Sequence, residues 1–161
     1  MVDIWPSEIH PPVMPPGLSE RYLIEPNYLA ARRWGLRCIA DRLTFQQIEI
    51  LLRLTSGYIS NIYGLFGAGA ERRTVSLNPT AKEIAWFFAE MVGGDVCVFD
   101  IPNSFLISVL EGDLTLVATD PTSLQKVCGS AIMARSDWIE IARGLRRDIS
   151  DRILSKYTGA G

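Results

Sequence analysis

The sequence predicts an α+β domain in which a small, mainly antiparallel three-stranded meander, at about residues 95–119, packs against several helices. Three observations favour this class: an amphipathic helical pattern at 79–92, three short apolar segments directly after it, and further helical patterns on both sides. Helices followed by strands and then by helices are typical of segregated layers. A chain of 161 residues with 48% hydrophobic content is enough for one domain with its own core.

A proline-rich arm precedes this domain. Residues 1–17 contain five of the nine prolines, which excludes a helix or a central strand there. A disordered tail would carry fewer apolar residues than the arm, which includes Trp5 and Met14. We therefore expect the arm to lie across the domain or to reach a second subunit, and we assign 18–161 to the single α+β domain.

Two helical patterns come before the meander. Apolar residues with helical spacing predict one helix within 27–43 and a second helix that begins after Thr44. Residues 58–66 fit either a helix or a turn followed by a strand. The glycine-rich stretch 64–73 lacks the Gly-Lys-Ser/Thr ending of a phosphate-binding loop and predicts a flexible connection.

The central helix is predicted over about 79–92. Asn78 is a favoured N-cap residue, and Pro79 suits the first helical position because its missing N–H would have no partner there. Gly93 and Gly94 can take the left-handed conformation that ends a helix. One apolar stripe follows from the spacing of four residues: Ile84, Phe87, Phe88 and Met91.

The three apolar segments at 95–101, 105–110 and 114–119 predict strands. The first has apolar residues on both faces, which is typical of an interior strand. Gly112 and Asp113 predict a two-residue hairpin turn that pairs Glu111 with Leu114 and Val109 with Leu116.

Two more helices are predicted after the meander. Asp120 and Pro121 repeat the cap-then-proline start of a helix. Asp137 and Glu140 have the spacing of an N-terminal cap pair, and the apolar pattern behind them predicts one last helix that continues to about Tyr157.

The middle of the chain is acidic although the formal net charge of the whole is only −2. Residues 78–134 hold seven acids and two bases, a local net charge of −5. This balance does not favour general nucleic-acid binding. The acids at or near the strand ends are the candidate partner-binding residues: Asp95, Asp100, Glu111, Asp113 and Asp120.

The sequence carries no motif for catalysis, for a cofactor or for a metal site. The lone histidine, His10, is in the proline-rich arm, and the cysteines Cys38, Cys97 and Cys128 have no paired spacing. The residues following Glu111 also depart from the metal-nuclease pattern of an acid followed, two residues later, by a lysine. We therefore predict no catalytic residue, no cofactor and no metal ligand.

These observations favour a non-enzymatic protein-binding module whose acidic patch binds a basic partner, for example an immunity or antitoxin-type inhibitor from a bacterium. One alternative is a small metal-dependent hydrolase or nuclease that uses the same carboxylates. A second alternative is a structural subunit that oligomerises through the N-terminal arm. The sequence lacks a secretory signal and a membrane-length apolar run, which predicts a soluble, cytoplasmic protein.

Overall fold

The chain folds into seven β-strands and six α-helices within the residues that the structure, a computed structural model, describes: 8–55, 61–91, 93–101, 103–111, 114–130 and 133–158. The strands are β1 Glu8–Ile9, β2 Gly35–Ile39, β3 Asn61–Phe66, β4 Arg73–Leu77, β5 Val96–Ile101, β6 Phe105–Leu110 and β7 Leu114–Thr119. The helices are α1 Pro26–Arg32, α2 Phe45–Thr55, α3 Ala81–Glu90, α4 Pro121–Cys128, α5 Arg135–Arg143 and α6 Arg147–Tyr157.

All seven strands join one sheet in the order β1-β4-β3-β5-β6-β7-β2, and every neighbouring pair is antiparallel. One face of this sheet packs against α2, α3 and α4. The other face packs against α5, α6 and the segment 18–24. The α+β class is therefore confirmed, but the predicted three-stranded meander is only the middle of a sheet that is covered on both faces.

The interior position predicted for the first meander strand is confirmed. β5 lies between β3 and β6, and all its residues except the last are buried. Val96 and Val98 pack on the face of α2, α3 and α4, while Cys97 and Phe99 pack on the opposite face. Such a strand has no polar face, which is why its sequence is an almost continuous apolar run.

The single helix predicted within 27–43 is wrong. Arg33, in a left-handed conformation with φ of 55°, ends α1, and the following residues form β2 beside β7. Leu36 and Ile39 are three residues apart, a spacing that a short edge strand tolerates as well as a helix does. The pairing with β7 decides between the two, and that contact is not visible in the local pattern.

The flexible connection predicted for 64–73 is also wrong. It begins inside β3 and ends at the start of β4, with a 3-10 turn at Gly69–Glu71 between the two strands. Gly64 faces the ring of Phe87, and a Cβ atom at this position would lie only 2.6 Å from that ring. Here the glycine allows helix α3 to pack closely on the sheet, so it does not mark a flexible loop.

The hairpin register is shifted by one residue from the predicted one. Leu110 pairs with Leu114, and Val109 pairs with Thr115. Glu111 leaves the strand with φ of 52°, so three residues connect β6 and β7 instead of two. The predicted turn residues, Gly112 and Asp113, lie outside the described residues. Since both faces of these strands are buried, the apolar pattern could not select between the two registers.

Helix starts were predicted with mixed success. Asp120 caps α4 as expected, because its carboxylate accepts the N–H of Ser123 at 2.9 Å. Helix α3 begins at Ala81, and Thr80 takes the capping role predicted for Asn78 by accepting the N–H of Glu83 at 3.2 Å.

The last predicted helix is two helices, α5 and α6, with a turn at 144–146 between them. In this turn the N–H groups of Gly144 and Leu145 bond to the carbonyls of Ile141 and Ala142. Both helices bury apolar side chains in the same core, so the helical pattern continues across the turn and conceals it.

Both edges of the sheet are protected against pairing with another strand. Within the described residues β1 comprises two residues, and Pro11 and Pro12, which follow it closely, cannot donate a backbone N–H to another strand. At the opposite edge, the N–H of Cys38 in β2 donates to the sulfur of Met133 at 3.0 Å. Met133, which lies shortly before α5, therefore occupies this N–H of the edge strand.

Candidate functional site

The predicted site residues separate into two groups at opposite ends of the central strands. Asp95 precedes β5 and Glu111 follows β6, so both lie at one end. Asp100, near the end of β5, and Asp120, which follows β7, lie at the other end. Asp113 lies outside the described residues. The carboxylates therefore do not converge on one point.

Asp100 and Asp120 hold local structure. Asp100 is fully buried, and its carboxylate accepts the N–H groups of Ser104 at 2.6 Å and Phe105 at 3.3 Å, together with the Ser104 hydroxyl. Partial burial works to raise the pKa of Asp120, but the N–H and hydroxyl of Ser123 outweigh it and lower this pKa below its usual range. Both carboxylates have their hydrogen bonds within the fold.

Asp95 and Glu111 are tied to helix α6. Asp95 forms an ion pair with Arg152 at 3.3 Å and accepts the N–H of Glu111 at 3.0 Å. Glu111 itself pairs with Arg146. Burial raises the pKa of the Asp95 carboxyl above its usual range, and Arg152 opposes part of that rise. This network places two carboxylates and one mostly buried guanidinium at the end of the sheet.

Asp95, Glu111 and Arg152 line a cleft of about 530 Å³, which we call the acidic cleft. It lies where the ends of α3, β3 and β6 and the start of β5 meet α6 and the segment 18–24. Its charged lining is Glu20, Arg21, Glu90, Asp95, Glu111 and Arg152. Its apolar lining includes Tyr22, Phe66, Met91 and Val96. The cleft thus combines an apolar floor with four carboxylates and two guanidinium groups.

Two of the four carboxylates are available for a ligand. Glu20 and Glu90 are exposed, and within the described part of the chain no cation lies at ion-pair distance from either. Asp95 is already neutralised by Arg152 of α6, and Glu111 by Arg146, which directly precedes this helix. Arg21 also lines the cleft and is exposed, so the charges that the cleft offers to a ligand are the two negative charges of Glu20 and Glu90 and the positive charge of Arg21, a net charge of −1.

The backbone around the cleft is held in uncommon conformations. Tyr22 and Glu111 have φ of 63° and 52°, although neither is a glycine, and Gly67 has φ of 86°. Arg72 lies 5.6 Å from the centre of the Tyr22 ring and donates to the carbonyl of Glu20 at 2.7 Å. Residues in such conformations cluster at ligand sites, where the surrounding fold compensates for their strain.

The sequence alone indicated Asp95 and Glu111 but not the other charged residues of the cleft. Glu20 and Glu90 are isolated acids in segments far apart in the chain, and only the packing of 18–24 against the sheet brings them to one cleft. Arg152 belongs to a helix that the sequence merely marks as basic. The acidic composition of residues 78–134 pointed to the region as a whole and not to one end of the sheet, because its acids lie at both ends.

Tyr22 gives the cleft a measurable pH dependence. Burial raises the pKa of the Tyr22 phenol from its usual 10.0 to about 12, against the effect of the neighbouring Arg72. Between these two values the folded chain binds more protons than the unfolded chain, so stability falls as the pH rises. We expect the free energy of unfolding, measured by urea denaturation, to fall less steeply with pH in Tyr22→Phe than in the wild type between pH 10 and about 12. Equal slopes in the wild type and the variant would contradict this assignment.

At neutral pH the Tyr22→Phe substitution should lower the free energy of unfolding by only about 1 kcal/mol, since it removes one hydrogen bond. This is the bond from the Tyr22 hydroxyl to the carbonyl of Gly67, at 2.6 Å.

The cysteine thiols and the His10 imidazole lie away from the cleft lining. Burial raises the pKa of the Cys38 thiol to about 12 and also raises the pKa of Cys97 and Cys128. His10 is exposed in the arm and pairs with Glu8 at 2.8 Å. Among the described residues, no group of three or more His, Cys, Asp or Glu side chains is placed to hold a metal ion.

Comparison of the chain with protein-family models, with curated proteins and with solved structures finds no match. In the described part of the chain, no helix has both the length and the apolar character needed to cross a bilayer. The geometry of the acidic cleft is therefore the basis for a functional assignment.

Proposed function

We propose that this chain is a non-enzymatic protein-binding module that binds a basic protein partner at the acidic cleft. The observation that carries the proposal is the pair of exposed carboxylates, Glu20 and Glu90, which lack a cation within ion-pair distance among the described residues and flank an apolar floor. An arginine or lysine side chain matches this combination, because its charged end pairs with carboxylates while its aliphatic stem lies on apolar surface.

Charge complementarity suits such a site to rapid and selective association. Unpaired surface carboxylates raise the rate at which a basic partner is encountered, and they disfavour acidic partners. An immunity or antitoxin-type inhibitor of a basic bacterial toxin works in this way, and we propose this class as the specific setting. The three cysteines are free thiols, which supports a place in the reducing cytoplasm.

Charge reversal at the two carboxylates tests the proposal. The wild type, the double variant Glu20→Lys with Glu90→Lys, and the control Glu140→Lys are each titrated with a blocked hexa-arginine peptide by calorimetry. Glu140 is exposed on α5 and does not line the cleft. We expect the double variant to bind about tenfold more weakly at low ionic strength, and the control to bind within about twofold of the wild type.

The same three proteins are then immobilised and exposed to a lysate of the source cells. We expect a basic protein to be retained by the wild type and the control and lost from the double variant. Equal binding of the peptide, or of the retained protein, by the wild type and the double variant would overturn the proposal. A loss of binding free energy in the control that reaches half of the loss in the double variant would have the same consequence. The control changes the net charge by half as much, so this result would show that only the net charge of the chain matters.

A further inference from the structure

The acidic cleft continues along helix α6 into two further depressions. A wide, shallow one of about 800 Å³ adjoins the cleft and shares Arg21 and Arg152 with it. A third one, of about 320 Å³, adjoins the second and shares Pro26 and Lys156 with it. We call the three together the α6 groove. Its long shape matches an extended chain better than a compact small molecule.

The far end of the groove is an aromatic pocket. Trp34, Trp138 and Tyr157 line it together with Leu36 and Met133. Trp138 stacks on Tyr157 with their ring centres 4.7 Å apart, and the hydroxyl of Tyr157 is held by both the N–H and the carbonyl of Ile24. The pocket walls are therefore ordered by contacts within the chain. Rigid aromatic walls and a methionine suit one large apolar side chain.

The middle of the groove carries mixed charges. Glu25 and Lys156 form an ion pair at 2.9 Å across it, and Asp148 and Asp151 line its side on α6. Leu23 and Pro26 are the apolar members of this mostly polar lining, which suits the peptide groups and small polar side chains of an extended segment. The anchors lie at the two ends: negative charge in the acidic cleft and apolar surface in the aromatic pocket.

We infer that the α6 groove binds an extended segment of the partner protein that carries a basic residue and, about four residues away, an aromatic residue. This inference rests on the proposed function and adds the aromatic anchor and the spacing to it. Arg152 at the cleft and Lys156 at the pocket are four residues apart on α6, which is about 6 Å along the helix. Spheres of the volumes of the two depressions would have radii of roughly 5 and 4 Å, so the anchors lie roughly 15 Å apart, or about four residues of extended chain.

Three blocked peptides of the form Gly-Arg-Ser-Gly-Ser-Phe-Gly test the inference with the full chain in solution. One is complete, one has serine in place of arginine, and one has serine in place of phenylalanine. Binding is monitored by NMR, through the chemical shifts of two sets of signals. The backbone amides of Ala68 and Gly94 report on the cleft, and the indole N–H groups of Trp34 and Trp138 report on the aromatic pocket. We expect the complete peptide to shift both sets of signals and to bind at least about fivefold more tightly than either single-anchor peptide.

Replacing Trp34 in the wall of the aromatic pocket then removes the aromatic anchor and leaves the acidic cleft unchanged. Trp34→Ser should lower the affinity for the complete peptide to that of the arginine-only peptide. Trp86→Ser is the matched control, because Trp86 is an exposed tryptophan on α3, on the opposite face of the sheet. We expect Trp86→Ser to leave the affinity unchanged within about twofold.

The outcomes separate this inference from the function on which it rests. If the arginine-only peptide binds at the cleft as tightly as the complete peptide, the aromatic anchor is wrong and the basic-partner proposal stands. If the phenylalanine-only peptide binds as tightly as the complete one without shifting the cleft signals, both are overturned. Absence of any shift at millimolar peptide also overturns both.

Discussion

Replacement of Asp100 by alanine will lower the free energy of unfolding by about 3 kcal/mol. The Asp100 carboxylate is fully buried and accepts two backbone N–H groups, those of Ser104 and Phe105, together with the Ser104 hydroxyl. Alanine would leave the buried N–H of Phe105 and the partly buried N–H of Ser104 without an acceptor. Each buried donor that loses its partner costs about 1–3 kcal/mol.

Urea denaturation of the wild type and of Asp100→Ala measures this loss, and Asp120→Ala provides the comparison. Asp120 is a partly exposed helix cap, so its replacement should cost only about 1 kcal/mol. The Asp100 variant, where folded, should bind the hexa-arginine peptide as the wild type does. Wild-type stability combined with weaker binding would instead make Asp100 a contact residue.

The central strands and the helices beside them were predictable because their signals are local. The stripe of Ile84, Phe87 and Phe88 indicates a helix by its spacing alone, and all three residues are buried. Asp120 followed by Pro121 marks a helix start through a cap that needs no distant partner. In β5 the apolar run indicated an interior strand, because burial on both faces requires such a run.

The remaining strands depend on partners that are far away in the chain. β2 pairs with β7, and β3 pairs with β5 as well as with its neighbour in the chain, β4. No short window of sequence contains the contacts with β7 and β5. The sheet is covered on both faces, which also removes the alternation of apolar and polar residues that usually marks a strand. The hairpin register was wrong for the same reason, since both registers of β6 and β7 bury apolar side chains.

The candidate site was predictable only as a region. Acids at strand ends were the predicted class of residue, and two of them, Asp95 and Glu111, line the cleft. The sequence could not show that Asp100 is turned inward, because a buried aspartate that accepts backbone N–H groups and an exposed one have the same neighbours in the chain. Glu20 and Glu90 are brought to the same cleft only by the folded sheet, so no local sequence pattern indicates that they lie there together.

Gly64→Ala will destabilise the fold by about 3 kcal/mol, near the upper end for an overpacked core. Gly64 lies in β3 with a strand on each side, and its missing Cβ leaves the space that the Phe87 ring of α3 occupies at 2.6 Å. Gly94→Ala is the matched control, because a Cβ there would meet nothing within 4 Å, and it should cost less than about 0.5 kcal/mol.

A second substitution shows whether the cost of Gly64→Ala comes from the contact with the ring. Phe87→Leu, which shortens the side chain, leaves room for a methyl group at position 64. In that background Gly64→Ala should cost less than about 1 kcal/mol, so the two changes are strongly non-additive. The free energies come from urea denaturation of the four proteins of this cycle. If Gly64→Ala costs the same with Phe87 and with the leucine in its place, the loss arises in the backbone of β3 instead of the packing of α3 on the sheet.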